Sequence, residues 1–418
     1  MRTFVTRFPV LGVRDFRILL ADRLIAPASF GFSMVGVSFA VLNLTGSAAD
    51  LSYVLAAQIA PSLVFALLGG VAADRFPPQR VIIAANLLMT VGEGTFGLLV
   101  LTGRPPLAAM IVLEAVTGSG MAIFYPASQA LLPRLVSDSM LQDASAISRV
   151  AMNGGTMAGS AIAGVMVAAI GPGWALTTCA LGMVCTVPVL LSLRPRALSA
   201  PASTENLLGQ LKEGWSEFWS HTWLWVIVLQ AAVVMMSWYG AFSVLGPVVA
   251  RAHLGGAAAW GAITAADSFG LIGGGLISLR LTPRRPMLFV VLALGAVAVS
   301  PISLALVLPL PLICLTSFLI GVLLEVMMVQ WTVALTRNIP PDRLARVSSY
   351  DILGSVMAMP LGALIAGPLG AAIGISRTQF LAAGAIAVAT VLALIPRDIR
   401  SIMSNVDQPA SEVEPILP

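Results

Sequence analysis

Five carboxylates stand inside apolar stretches of this sequence: Asp22, Glu93, Glu114, Asp267 and Glu325. A charge at the centre of a bilayer helix costs about 2.5–3.5 kcal/mol on insertion scales, so each needs a role that offsets the cost. The chemistry open to a carboxyl in such a place is proton exchange, because desolvation disfavours its charged form and a small change of surroundings switches its protonation. Spacing gives two of them a context. Phe318, Gly321, Glu325, Met328 and Thr332 recur at three- and four-residue intervals, as do Glu114, Gly118, Met121 and Tyr125; each set falls on one helix face. A carboxylate among Phe, Met and Tyr sits in apolar, adaptable surroundings, since Met repacks around varied shapes. The plainer alternative is a neutral glutamic acid hydrogen-bonded between helices. Asp22 is expected to snorkel to the surface with neighbouring Arg23. Asp267 (above Gly270 and Gly274) and Glu93 (above Gly97) are expected to make interhelical hydrogen bonds.

The rest of the chain is written to hold such groups in lipid. Of 418 residues, 58% are hydrophobic and 10% charged, with a mean hydropathy of +0.94. Soluble domains carry roughly a quarter charged residues, so the composition excludes one and indicates a multi-pass membrane protein. Apolar runs in hydrocarbon must satisfy their own backbone hydrogen bonds and are read as helices of about twenty residues. They fall at about 18–42, 50–73, 81–102, 106–131, 146–170, 174–193, 222–249, 257–279, 287–308, 312–335, 350–372 and 377–395. The first is too long for a signal-peptide core and is read as retained. Cys179, Cys185 and Cys314 lie within apolar runs as small hydrophobes. His221 and His253 fall at opposite faces, and the sequence has neither a Cys/His cluster nor a glycine-rich phosphate loop. No enzyme activity, metal, cofactor, nucleic-acid partner or ATP-driven pumping is expected.

Charge placement orients the spans. With the amino terminus inside, Arg104, Arg251 and Arg377 fall at outer loops and the remaining basic residues at inner loops or inner helix ends. Cytoplasmic loops collect Lys and Arg, so both termini are expected in the cytoplasm. Residues 1–193 form one six-helix unit and 222–396 another, with a linker at 194–221 and a polar tail at 397–418. In the linker Leu208, Leu211, Trp215, Phe218 and Trp219 recur at helical spacing opposite Lys212, Glu213 and Glu217, as in a helix lying at the interface.

Two internal features point the same way. Gly275 to Arg285 aligns with Gly70 to Arg80, with Gly, Arg, Pro and Arg at equal spacing. Ala130-Leu131, with Asp138 downstream, pairs with Ala334-Leu335 and Asp342 at nearly the same offset. Parallel repeats of this kind place substrate near the midplane between halves. The hinge Gly70-Val71-Ala72-Ala73-Asp74-Arg75, with Arg80 beyond, resembles the loop between helices 2 and 3 of the major facilitator superfamily, in which a glycine ends helix 2 and an Asp-Arg pair follows. Pro77 and Pro78 depart from the family pattern.

On that resemblance the chain is expected to be an all-α membrane protein of twelve helices in two pseudo-symmetric halves. Helices 1, 4, 7 and 10 would line the cavity, which favours Glu325 and Glu114, with Met121, Tyr125, Phe318 and Met328, for proton coupling and substrate contact. Asp74 would approach the start of helix 11 near Val347 to Tyr350 and lock the inner gate, with Asp351 opposing it unless Arg343 or Arg346 intervenes. Gly155, Gly159, Ser160 and Gly164 resemble the antiporter motif of exporters in this superfamily, with Ser160 in place of proline. The resemblance thus implies a bacterial inner-membrane exporter of small amphipathic drugs or natural products, monomeric and driven by the proton gradient. An importer or uniporter of a nutrient, and a non-transporting sensor or scaffold, are the alternatives.

Overall fold

The computed structural model describes residues 9–75, 77–194, 215–278, 280–281 and 283–401. These residues are almost wholly helical, and we number the long helices in chain order. The first half comprises α1 (Arg14–Thr45), α2 (Ala48–Arg75), α3 (Pro78–Thr102), α4 (Leu107–Leu131), α5 (Leu141–Ile170) and α6 (Pro172–Leu191). The second comprises α7 (Thr222–Leu254), α8 (Ala257–Ser278), α9 (Pro286–Ala305), α10 (Leu310–Asn338), α11 (Pro341–Ile373) and α12 (Ile375–Ala393). Ten of them are long and apolar enough to cross a membrane by length and composition alone. α2 and α8 complete the twelve, α8 being diluted by Asp267 and its glycines.

The repeat read in the sequence is visible in the packing. In the first half α1 lies on α5 and α6, α3 on α4 and α6, and α2 on α4. Each pairing recurs six helices later: α7 on α11 and α12, α9 on α10 and α12, and α8 on α10. The halves meet through α5–α8 and α2–α11, which exchange under the same symmetry. Single glycines make the equivalent tight turns: Gly171 (φ 99°) joins α5 to α6 and Gly374 (φ 96°) joins α11 to α12. That left-handed backbone is open to glycine at little cost.

Several helix ends differ from those set by apolar length. α2 runs past Gly70 to Arg75, so that glycine does not end it. α7 continues to Leu254 through π-helical turns at Tyr239–Val244 and Ala250–Leu254; Pro247 between them cannot donate a backbone bond, and the ladder widens around it. α9 is interrupted at 297–298 and α11 at 357–358. α11 begins at Pro341 rather than near 350, because its first turns are polar and no apolar count registers them.

Glycine lets α4 approach α2 closely: a Cβ on Gly118 would lie 1.8 Å from the Gln58 carbonyl oxygen. Gly118→Ala must therefore separate two helices, and a loss of about 1–3 kcal/mol is expected despite alanine's better helix propensity. Gly154, where a Cβ would meet nothing within 4 Å, is the control. Thermal unfolding in detergent should show a lower midpoint for Gly118→Ala and no drop for Gly154→Ala.

The apolar clusters reveal how the halves sit. We call linker face the side where α1 begins, α6 ends, α7 begins and α12 ends, and the opposite side the far face. Near the linker face each half has its own cluster, one around Phe16, Ile82, Phe124 and Leu190, the other around Leu224, Val291, Trp331 and Val347. Toward the far face the clusters are shared: Phe32, Val35 and Val167 pack with Phe242 and Trp260, and Val41 and Leu51 pack with Leu245 and Ala363. The halves are thus closed together at the far face and keep separate cores at the linker face.

Of the expected interfacial helix, residues 195–214 lie outside the described residues. Residues 215–220 are helical and dock on α11, with Trp215 5.4 Å and Phe218 6.2 Å from Tyr350 between ring centroids. Glu217 accepts from Arg343 Nη1 at 2.5 Å and lies 3.1 Å from His221 Nε2. The Arg343 hydrogen bond first, and then that of His221, hold the Glu217 carboxyl below its ordinary value of 4.5. A depressed folded-state value stabilises docking above the ordinary pKa, and that contribution is lost as pH falls through the lower folded value. Solvent screens the pair, so it is worth no more than about 1 kcal/mol. The prediction is tryptophan emission that is steady from neutral pH to about 5 and changes below 4.5, with Glu217→Gln removing that acid transition.

Candidate functional site

The site is built where glycines thin the second half. α8 and α10 touch through backbone: a Cβ on Gly270 would lie 2.1 Å from the Phe318 carbonyl oxygen, and one on Gly321 2.3 Å from that of Asp267. One turn further, Gly274 leaves room for Glu325, whose own Cβ lies 2.9 Å from the position a Gly274 Cβ would take. The Glu325 side chain crosses this smooth face, 11% exposed, and Oε1 accepts from Arg149 Nη1 of α5 at 2.5 Å. Arg149 stands eight residues beyond Leu141, the start of α5, roughly 12 Å along the helix from the linker face at 1.5 Å per residue. Its side chain is 56% exposed. An ion pair therefore ties the two halves together at depth, one partner shielded by protein and the other facing the gap between them.

A second polar group lies inside the first half. Ser33 Oγ of α1 donates to Glu93 Oε1 of α3, and Gln58 Nε2 of α2 donates to Glu114 Oε2 of α4 at 2.7 Å. Glu93 and Glu114 are 1% and 0% exposed, and they lie within electrostatic reach of each other and, for Glu114, of Tyr239 on α7. Glu93 Oε2, Glu114 Oε1 and Thr117 Oγ1 are buried without hydrogen-bond partners.

α5 carries the small-residue motif on two faces. Gly155 and Gly159 lie against the α1 backbone at Leu24 and Ala28, while Gly164 faces α8, where its Cβ would lie 2.8 Å from the Ala257 carbonyl oxygen and 2.9 Å from Gly261 Cα. Ser160 is buried between, with Oγ unpartnered. This is the far-face seam. Ser52 Oγ on α2 accepts from the Gly367 amide of α11 at 2.7 Å, and Arg251 Nη1 donates to the Leu42 carbonyl at the end of α1.

The structure brings only part of the expected stripes together. Glu114 is enclosed by α1 to α4, whereas Tyr125 is exposed and Met121 packs with the linker-face cluster of the first half; one helix face spans several environments along its length. Phe318 rests on α8, its ring 5.5 Å from that of Phe269, while Met328 is exposed. Asp22 is buried at 1% exposure rather than snorkelling, because Arg23 turns inward to donate to the Ser128 carbonyl at 2.7 Å. Asp267 is half-buried with no hydrogen-bond partner among the described residues: glycine-mediated contact puts backbone, not side chains, between α8 and α10. Asp351 accepts from Trp331 Nε1 at 2.8 Å. Arg80 is exposed in the first turn of α3. Phe76 and the side chains of Asp74 and Arg75 lie outside the described residues, and so does the expected lock.

Arg149 escaped the sequence reading, which counted it among basic residues at inner helix ends. The available signal was its position two turns inside α5, deeper than an anchoring arginine needs.

Comparison with known proteins gives a consistent answer. The family model described as Major Facilitator Superfamily matches residues 24–350. The chain is similar to the enterobactin exporter EntS of Salmonella typhi, at 28% identity over 84% of this chain and 86% of the relative. It is also similar to the multidrug efflux pump Tap of Mycolicibacterium fortuitum, at 27% identity over 86% and 90%. Among solved structures, a point mutant of the nucleoside transporter NupG superposes with a TM-score of 0.74 at 10% identity, covering 91% of this chain and 98% of that one. A POT family transporter in complex with 5-aminolevulinic acid gives 0.73 at 12% identity over 93% and 97%. At such identities the structural likeness speaks for the fold alone.

Proposed function

This chain belongs to the major facilitator superfamily, and on that premise we propose that it is a proton-coupled exporter of small amphipathic molecules in a bacterial cell membrane. The observation that carries the reading is the Arg149–Glu325 pair, a proton-accepting group placed between two rocking halves. With the linker-face ends in separate cores, Glu325 is ionised and held by Arg149, its proton having left toward the cytoplasm. Substrate enters the gap, the halves rock, and at the opposite face Glu325 takes up a proton, which discharges the carboxylate, frees Arg149 from the ion pair and accompanies the return. Glu114 is a second candidate for proton binding, enclosed with Glu93. Export is favoured by the relatives, whose names describe an exporter and an efflux pump.

The test is cellular accumulation of a panel of hydrophobic antibiotics and siderophores in an efflux-deficient host, with and without protonophore. Lower accumulation abolished by protonophore is the expected result. Raised accumulation would reverse the direction and indicate uptake, and movement of nothing across the panel by verified protein would favour a sensor or scaffold.

A further inference from the structure

Where α1 leaves the linker face it forms, with the end of α6, a shallow pocket of about 410 Å³ lined by Arg14, Arg17, Ile18, Ala21, Val189 and Ser192. The α1 residues recur at three- and four-residue intervals and share one helix face. Its chemistry is graded along the helix. The two arginines stand within the first turns of α1, and both are exposed. Ile18, Ala21 and Val189 continue the pocket toward the hydrocarbon. Arg14 makes a 3.4 Å pair with Asp15 in the same turn, and Asp15 does not line the pocket. Arg17 has no acidic partner among the described residues. Val13 at the head of α1 supplies no side-chain cap, so the positive end of the helix dipole adds to the field of the arginines.

We infer that this pocket binds the phosphate headgroup of an anionic phospholipid, with an acyl chain along Ile18, Ala21 and Val189. The shared chemistry is a phosphate between two guanidinium groups. Lipid is the source the pocket fits, because its apolar floor descends into the membrane, where free phosphate gains nothing. The site lies within the first half, away from the Arg149–Glu325 seam, so its occupancy stabilises the α1–α6 contact rather than entering the transport cycle.

Native mass spectrometry of the full-length protein, titrated with phosphatidylglycerol or phosphatidylcholine, tests the assignment. Phosphatidylglycerol adducts should survive detergent removal on the wild type. An arginine near a membrane surface contributes about five-fold in anionic-lipid binding, so Arg14→Gln with Arg17→Gln should weaken retention roughly thirty-fold. Arg104→Gln with Arg377→Gln, at the opposite face, should leave it unchanged. A thermal midpoint raised by phosphatidylglycerol in the wild type and not in the Arg14/Arg17 variant would support the same conclusion without relying on adduct survival. Equal retention of both lipids, undiminished retention in the double variant, or equal protection by inorganic phosphate alone would overturn it.

Discussion

Glu325→Gln is expected to reduce gradient-driven efflux to background while leaving substrate exchange at equal pH intact. Glutamine keeps the shape and can still accept from Arg149, so folding and the resting arrangement survive; what it cannot do is lose and regain a proton. Arg149→Gln acts differently. It leaves Glu325, 11% exposed in its side chain, shielded by protein without a cation, and removing one partner of a shielded pair costs up to about 3–5 kcal/mol when burial is complete. Half-exposure of Arg149 reduces that, so a fall of roughly ten- to a hundred-fold in efflux is expected, with the pH dependence shifted. Because both residues act through one contact, the double variant should be no worse than Glu325→Gln alone. Efflux assays in everted vesicles, normalised to protein of verified thermal stability, distinguish these outcomes. Full efflux by Glu325→Gln would remove Glu325 from the coupling mechanism.

The second large effect concerns the far-face seam. Gly164→Val places a branched side chain where even a Cβ lies 2.8 Å from the Ala257 carbonyl and 2.9 Å from Gly261 Cα. Neither backbone atom can rotate away, so α5 must part from α8. Since the linker-face cores are separate already, the substitution should shift the population toward a far-open state, and overpacking of this kind costs about 1–3 kcal/mol. A cysteine at Ala257, 5% exposed in the closed seam, reports this directly in a background lacking Cys179, Cys185 and Cys314. Thiol labelling from outside should rise about ten-fold or more in Gly164→Val, with efflux falling in parallel. Unchanged labelling would mean that the seam does not open during the cycle.

Much of this molecule could be read from its sequence because lipid imposes one dominant rule. A chain that must bury its backbone in hydrocarbon forms helices wherever apolar runs are long enough, and the repeat of Gly, Arg, Pro and Arg disclosed the two halves. The ends of α7 and α11 were illegible for the same reason: a polar first turn at Pro341 and π-helical turns around Pro247 carry no apolar signature. The intramembrane carboxylates announced themselves through their cost, but periodicity gives a face and not a neighbour. It could not tell that Glu114 is enclosed with Glu93, that Arg23 turns inward and keeps Asp22 from the surface, or that Phe318 lies against α8. Arg149 was missed because its significance lies in a partner 176 residues away, a separation at which no local pattern operates.

The most direct test of the central claim is proton movement driven by substrate in proteoliposomes containing a pH-sensitive dye, using a substrate identified by the accumulation panel. Substrate imposed on one side should drive protons in the opposite direction with the wild type, and no such flux should occur with Glu325→Gln, although labelled substrate still exchanges. Substrate transport by the wild type without proton movement, or an undiminished proton flux in Glu325→Gln, would contradict the account.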